Sequence, residues 1–160
     1  MGSRFPQPDN ELAFEQLCLR LYRKLWKNEG LYLYGKRGQA QHGVDIHDQI
    51  GQRPLSAVQC KHHEPVKTIS PEEIKGEVTK AENSHFSIER YVIATTARKS
   101  SEAQDCVAKL NQRSDKKFLV EIHFWEEICQ YASEFGRVIA EFIIHGGHTA
   151  ANGSTRVRHS

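Results

Sequence analysis

Glu15, Asp45, Gln59 and Lys61 are the residues of this 160-residue chain whose types and spacing suit chemistry. Gln59 and Lys61 stand two apart in a β-forming run, so both project from one face of a strand. Asp45 sits between Val44 and Ile46 in another such run, where aspartate is disfavoured. If the two runs pair through the turn beginning at Gly51, Asp45 lies near the Gln59–Lys61 face. Glu15 falls on or beside the apolar stripe of a helix, where a carboxylate needs a partner or a cation. Such a set suits phosphodiester hydrolysis. That reaction adds negative charge to a group that is already an anion, and a hard divalent cation offsets the charge while lowering the pKa of a bound water. Magnesium takes oxygen ligands, commonly one or two carboxylates with water and substrate phosphate. Asp45 and Glu15 offer carboxylates, Gln59 an amide oxygen, and the Cys60 main-chain carbonyl one more. Lys61 brings a positive charge and a proton donor or acceptor to the attacked phosphate, and a neighbouring cation would lower its pKa.

The elements that must position these residues follow from pattern. Asp9 or Asn10 caps a first helix whose apolar residues include Leu12, Leu17, Leu19, Leu21, Leu25 and Trp26, and Asn28-Glu29-Gly30 stops it. Leu31–Tyr34 reads as a short strand and Val44–Ile50, with its alternating apolar residues, as a half-buried one. Gly51–Pro54 turns the chain into a strand over Leu55–Lys61. Ser70-Pro71-Glu72-Glu73 opens a helix with a cap, a first-turn proline and a capping box, running to about Asn83. Arg90–Thr96 is a strand, Ser100 or Ser101 caps a helix to about Gln112, Phe118–Phe124 is the last strand, and a final helix runs from Trp125 to about Ile144. The order αβββαβαβα predicts an α/β fold with a mixed central sheet flanked by helices on both faces.

Size and composition fit one domain. Residues 1–9 read as a flexible lead, 10–145 as the folded domain and 146–160 as a flexible tail or truncated linker, in which Arg156 and Arg158 are solvated. No apolar run is long enough to span a membrane. The four scattered cysteines read as reduced thiols, which points to a cytoplasmic setting. Cys60-x-His62-His63 raises zinc as an alternative, without a second ligand cluster to complete it. A net charge of +2 neither requires nor forbids a nucleic-acid partner.

Phe14-Glu15, Gly43-Val44-Asp45-Ile46, Val58-Gln59-Cys60-Lys61, the run Tyr91–Ala97 and Phe124-Trp125-Glu126 occur in an order that resembles the Mrr-like branch of the PD-(D/E)xK restriction-endonuclease superfamily, over roughly residues 10–140. The resemblance implies that Asp45 is the motif aspartate, Gln59 the second acidic position in its glutamine variant, Lys61 the motif lysine and Glu15 the helix-one glutamate. It implies a Mg2+-dependent DNA endonuclease, with Mn2+ able to substitute, acting as the effector of a bacterial restriction or anti-phage system. Lys36, Arg37, Gln39, His42 and His62 are then candidate DNA contacts. A homodimer, and a fused or associated ATPase or sensor, are the partners such a domain implies. Glutamine at position 59 removes one ligand charge and leaves the number of metals open. The rival reading is a non-catalytic nucleic-acid-binding or assembly module with the same fold.

Overall fold

A computed structural model describes residues 5–35, 42–64 and 66–136. Lys36, Arg37, Gln39 and Gln41 and residues 137–160 lie outside the described residues, and the last helix ends at Glu134 with Phe135 as its C-cap, short of the expected Ile144. The elements are α1 Glu11–Leu25, β1 Leu31–Leu33, β2 Ile46–Asp48, β3 Ser56–Lys61, α2 Pro71–Glu82, β4 Arg90–Thr95, α3 Ser101–Asn111, β5 Leu119–His123 and α4 Trp125–Glu134, in the expected order αβββαβαβα. Asn10 caps α1 by accepting from the Ala13 N–H at 2.8 Å, and Ser70 and Ser100 cap α2 and α3 in the same way. The capping-box expectation for Glu73 gives way to another use: its carboxylate lies against Lys61 and His63, beyond the helix end.

The sheet is mixed, in the order β1-β2-β3-β4-β5. β1, β2 and β3 pair antiparallel; β3, β4 and β5 pair parallel. The two parallel steps each need a crossover helix. Right-handed crossovers that step in the same direction put both helices on the same face. α2 and α3 therefore cover one side, packing Ile74, Val78, Ala103 and Val107 onto Ala57, Tyr91 and Ile93. α1 and α4 cover the other with Phe14, Leu17, Leu21, Trp125 and Ile128 against Ile46, Val58, Cys60 and Val92. All four cysteines are free and buried. Among the described residues no helix is long and apolar enough to cross a membrane.

β2 is shorter than its alternation suggests, and polar side chains explain both ends. Asp48 accepts from the main-chain N–H groups of Ile50 and Gly51 at 2.8 and 3.2 Å, an Asx turn that competes with the ladder. At the other end the Asp45 carboxylate takes the Cys60 N–H, so a side chain replaces the carbonyl that a longer strand would offer. The loop before Asp45 is tied to the core through Gly43. That residue has φ +75°, and its carbonyl accepts from the buried Tyr91 hydroxyl at 2.6 Å.

A Cβ at position 43 would lie 2.9 Å from the Glu77 carbonyl, a backbone atom with little room to yield, and in a conformation that side chains disfavour. Gly43→Ala is therefore expected to lower unfolding free energy by about 1–3 kcal/mol. Urea denaturation measures it; an unchanged midpoint would mean the loop does not hold this close approach.

Candidate active site

The site lies at the end of the sheet where β3 exits. The β2–β3 ladder ends at the pair Ile46–Val58, and Asp45 is the next residue, just outside it. Two hydrogen bonds fix it there. The Asp45 N–H donates to the Val58 carbonyl at 2.8 Å, and Asp45 Oδ2 accepts from the Cys60 N–H at 2.8 Å. Val58 and Cys60 point into the α1/α4 core, so by the period of two Gln59 and Lys61 point to the α2 side with Ala57. Thr95 and Thr96 hold the strand exit. The Thr95 hydroxyl donates to the Lys61 carbonyl at 2.8 Å, and the Thr96 hydroxyl both accepts from the His63 N–H and donates to the His63 carbonyl at 2.7 Å.

Burial dominates the electrostatics. Asp45 is 3% exposed. Desolvation pushes its pKa up to about 6; Glu11 and Glu77 add to the rise, and the Cys60 N–H and Lys61 oppose it. Lys61 Nζ lies 3.0 Å from Glu77 Oε2 and 3.4 Å from Glu73 Oε2. Burial, the largest influence, works against its charge, yet the two carboxylates outweigh burial and raise its pKa. In the chain without a cation the direction is therefore upward. Gln59 is 8% exposed, and its Oε1 has no hydrogen-bond partner among the described residues. An orphaned buried carbonyl oxygen carries a desolvation cost that a cation would remove.

The donor set fits a hard, oxygen-seeking dication. Asp45 brings one carboxylate and Gln59 an amide oxygen, with the Cys60 carbonyl on the same strand end. Among the described residues no three His, Cys, Asp or Glu side chains are close enough to hold a metal by themselves. The Cys60 thiol is unsuited to zinc: it is buried beside Cys18, and burial above all raises its pKa.

The remaining candidates divide. Glu15 is half-buried on α1, close enough to raise the Cys60 thiol pKa, and Glu11 one turn earlier acts on Asp45. His42 is exposed just before Asp45, its ring 6.3 Å from Tyr34 and 5.8 Å from His85. His62 faces the α1 side instead, its Nε2 3.0 Å from the Pro8 carbonyl and its ring near Phe14. It ties the segment leading into α1 to the end of β3. Sequence reasoning missed Glu77, Glu73 and Glu11. Only Glu77 left a trace, since it occupies an inward position in the spacing Ile74, Glu77, Val78, Ala81.

A family model named Mrr_cat_2 and described as restriction endonuclease matches residues 15–130. Solved structures share the fold. The MspJI restriction endonuclease in complex with a 27-mer oligonucleotide is 20% identical, with a TM-score of 0.56 over 84% of this chain and 30% of that one. The DNA modification-dependent restriction endonuclease AspBHI is 18% identical, with a TM-score of 0.54 over 84% of this chain and 34% of that one. The chain therefore spans about a third of the length of these solved relatives. No curated protein matches it.

The raised Asp45 pKa has a sign in stability. A carboxyl that titrates near 3.8 when unfolded and near 6 when folded favours the native state at low pH, and that contribution disappears as pH rises through about 6. In EDTA, the wild type is expected to lose up to about 2 kcal/mol more than Asp45→Asn between pH 4 and pH 7. Parallel urea titrations at the two pH values measure it. Identical pH profiles for the two proteins would refute the desolvated carboxyl.

Proposed function

The chain belongs to the restriction endonuclease family, and from that we propose that it is a divalent-metal-dependent DNA endonuclease domain whose site is built on Asp45, Gln59, Lys61 and the Cys60 carbonyl. One observation carries the reading. A buried carboxyl hydrogen-bonded to the Cys60 N–H meets, at the exit of β3, the buried and unpartnered amide oxygen of Gln59, with an ammonium two residues further on. A structural reading leaves that grouping unexplained, because burying Asp45 and orphaning Gln59 both oppose folding.

A bound Mg2+, or Mn2+ in its place, would supply charge neutralisation at the phosphate and a water of lowered pKa. The chain's own residues do the rest. Asp45 and Gln59 hold the cation's place, and the Cys60 N–H fixes the Asp45 rotamer. Glu15, from α1, adds negative potential at the same strand end. Lys61, protonated and directed by β3, sets a positive charge where the attacked phosphate's oxygens gather charge. The β3 exit clamped by Thr95 and Thr96 keeps that ammonium from drifting. His42, with Lys36, Arg37 and Gln39 of the neighbouring segment, supplies contacts to the phosphate backbone. DNA as substrate is supported by the family and by the oligonucleotide held by the MspJI enzyme. The partial coverage of the solved relatives supports a place as the nuclease portion of a larger defence protein, working with an ATPase or sensor and as a dimer when both strands are cut.

Supercoiled plasmid is the test. Nicking or linearisation is expected with Mg2+ or Mn2+, to stop with EDTA, and to fall about 100-fold or more in Lys61→Ala. Cleavage indifferent to EDTA and to Lys61→Ala would sink the assignment. DNA binding without cutting in any metal would favour the non-catalytic module.

A further inference from the structure

We propose that Glu77 is a second carboxylate ligand of this cation site, supplying from α2 the negative charge that position 59 lacks. The inference rests on the metal-site reading above and names a member that the D…QxK pattern does not contain.

Glu77 occupies a position that spacing assigns to the core. Ile74, Glu77, Val78 and Ala81 form the buried stripe of α2, and Glu77 is 5% exposed. A carboxylate so placed opposes folding unless its oxygens are used. Only one is used. Oε2 lies 3.0 Å from Lys61 Nζ and 3.5 Å from Lys80 Nζ, whereas Oε1 is buried without a partner among the described residues. Gln59 Oε1 is in the same condition on the strand that α2 covers. Two unpartnered acceptor oxygens, one from the sheet and one from the helix, thus border the layer in which Lys61 lies.

Charge points the same way. Lys61 is paired with both Glu77 and Glu73, and Asp45 feels Glu77 as well. Two carboxylates therefore flank one sheltered ammonium, with the Asp45 carboxyl within electrostatic reach of Glu77 and Lys61, and Lys80 is largely exposed and offsets little. A simple structural pair would stop at one carboxylate. The surplus is what a dication neutralises. Position 77 is also pinned to the Asp45 loop: the Tyr91 hydroxyl is 2.6 Å from the Gly43 carbonyl and 3.3 Å from the Glu77 carbonyl. The same residue thus holds the helix and the loop that bring Glu77 and Asp45 together. Two carboxylates, an amide and a main-chain carbonyl, completed by water, make a set suited to Mg2+ or Mn2+.

The test is Mn2+ binding by calorimetry on the full chain without DNA, with circular dichroism to check folding. Glu77→Gln keeps the shape and the acceptor for Lys61 but removes the charge. It is expected to weaken Mn2+ binding roughly 10- to 100-fold, and adding Gln59→Glu in that background should restore much of the affinity. If Glu77→Gln binds Mn2+ as the wild type does while Asp45→Asn does not, the site stands and Glu77 is only an ion-pair partner. If the wild type itself takes up no Mn2+, the metal reading fails and this inference with it. Should Glu77→Gln not fold, the carboxyl carbon resonance of Glu77 in the wild type decides. A shift on Mg2+ addition supports ligation, and an unmoved resonance alongside a shifting Asp45 overturns it.

Discussion

The structure depends on how β2 stops pairing with β3. A ladder that ran on past Ile46 would satisfy the Cys60 N–H with a main-chain carbonyl and leave Asp45 as an ordinary strand residue. Instead the Asp45 carboxylate accepts that N–H at 2.8 Å, while the Asp45 N–H donates back to Val58. The exchange fixes a buried carboxyl to within a hydrogen bond of the strand that carries Gln59 and Lys61. It also uses the backbone, the most rigid part of the molecule, as the clamp. A functional carboxylate held this way cannot rotate to solvent and so accepts the desolvation that raises its pKa to about 6.

Around that clamp, the two faces of the sheet do different work. The α1/α4 face is a conventional apolar core in which Val58 and Cys60 are packed under Phe14 and Trp125. The α2 face is apolar along most of its length, with Ala57, Ile74 and Tyr91, but becomes ionic at the strand exit, where Lys61, Glu73, Glu77 and His63 meet. Period-two alternation forces this division. Once Val58 and Cys60 are committed to one core, Gln59 and Lys61 must face the other layer. The polar groups cluster at one end because crossover connections leave the carboxyl ends of parallel strands open. Tyr91 keeps the arrangement from spreading, since its hydroxyl spans the loop before Asp45 and the turn of α2 that carries Glu77.

Lys61 illustrates how neighbours set a charge. In the chain alone it sits between two carboxylates whose attraction exceeds the cost of burial, and its pKa rises. That balance is set by whatever competes for Glu77 and Glu73, so metal and substrate would alter the lysine's protonation through its neighbours.

The sequence by itself determined the element order and the fold class, because amphipathic spacing, capping residues and β-branched runs are local signals. Ser70 caps where it was expected to, and of the alternatives Asp9 or Asn10 and Ser100 or Ser101 the caps are Asn10 and Ser100. It also determined which residues on β3 share a face, since Gln59 and Lys61 need only the geometry of a strand. The family match over residues 15–130 agrees with the resemblance read from those same motifs. What only the tertiary structure decided is who meets whom across elements. Helical and strand periodicity say which way a side chain points and nothing about what it meets. The contact of the His62 ring with the Pro8 carbonyl was therefore not legible, and Glu73 looked like half of a capping box until Lys61 and His63 claimed it. Glu77 carried no signal of its partner, and its contact with Lys61 came from α2 packing over β3. Such contacts arise from chain closure over tens of residues, a non-local property that no window of sequence carries.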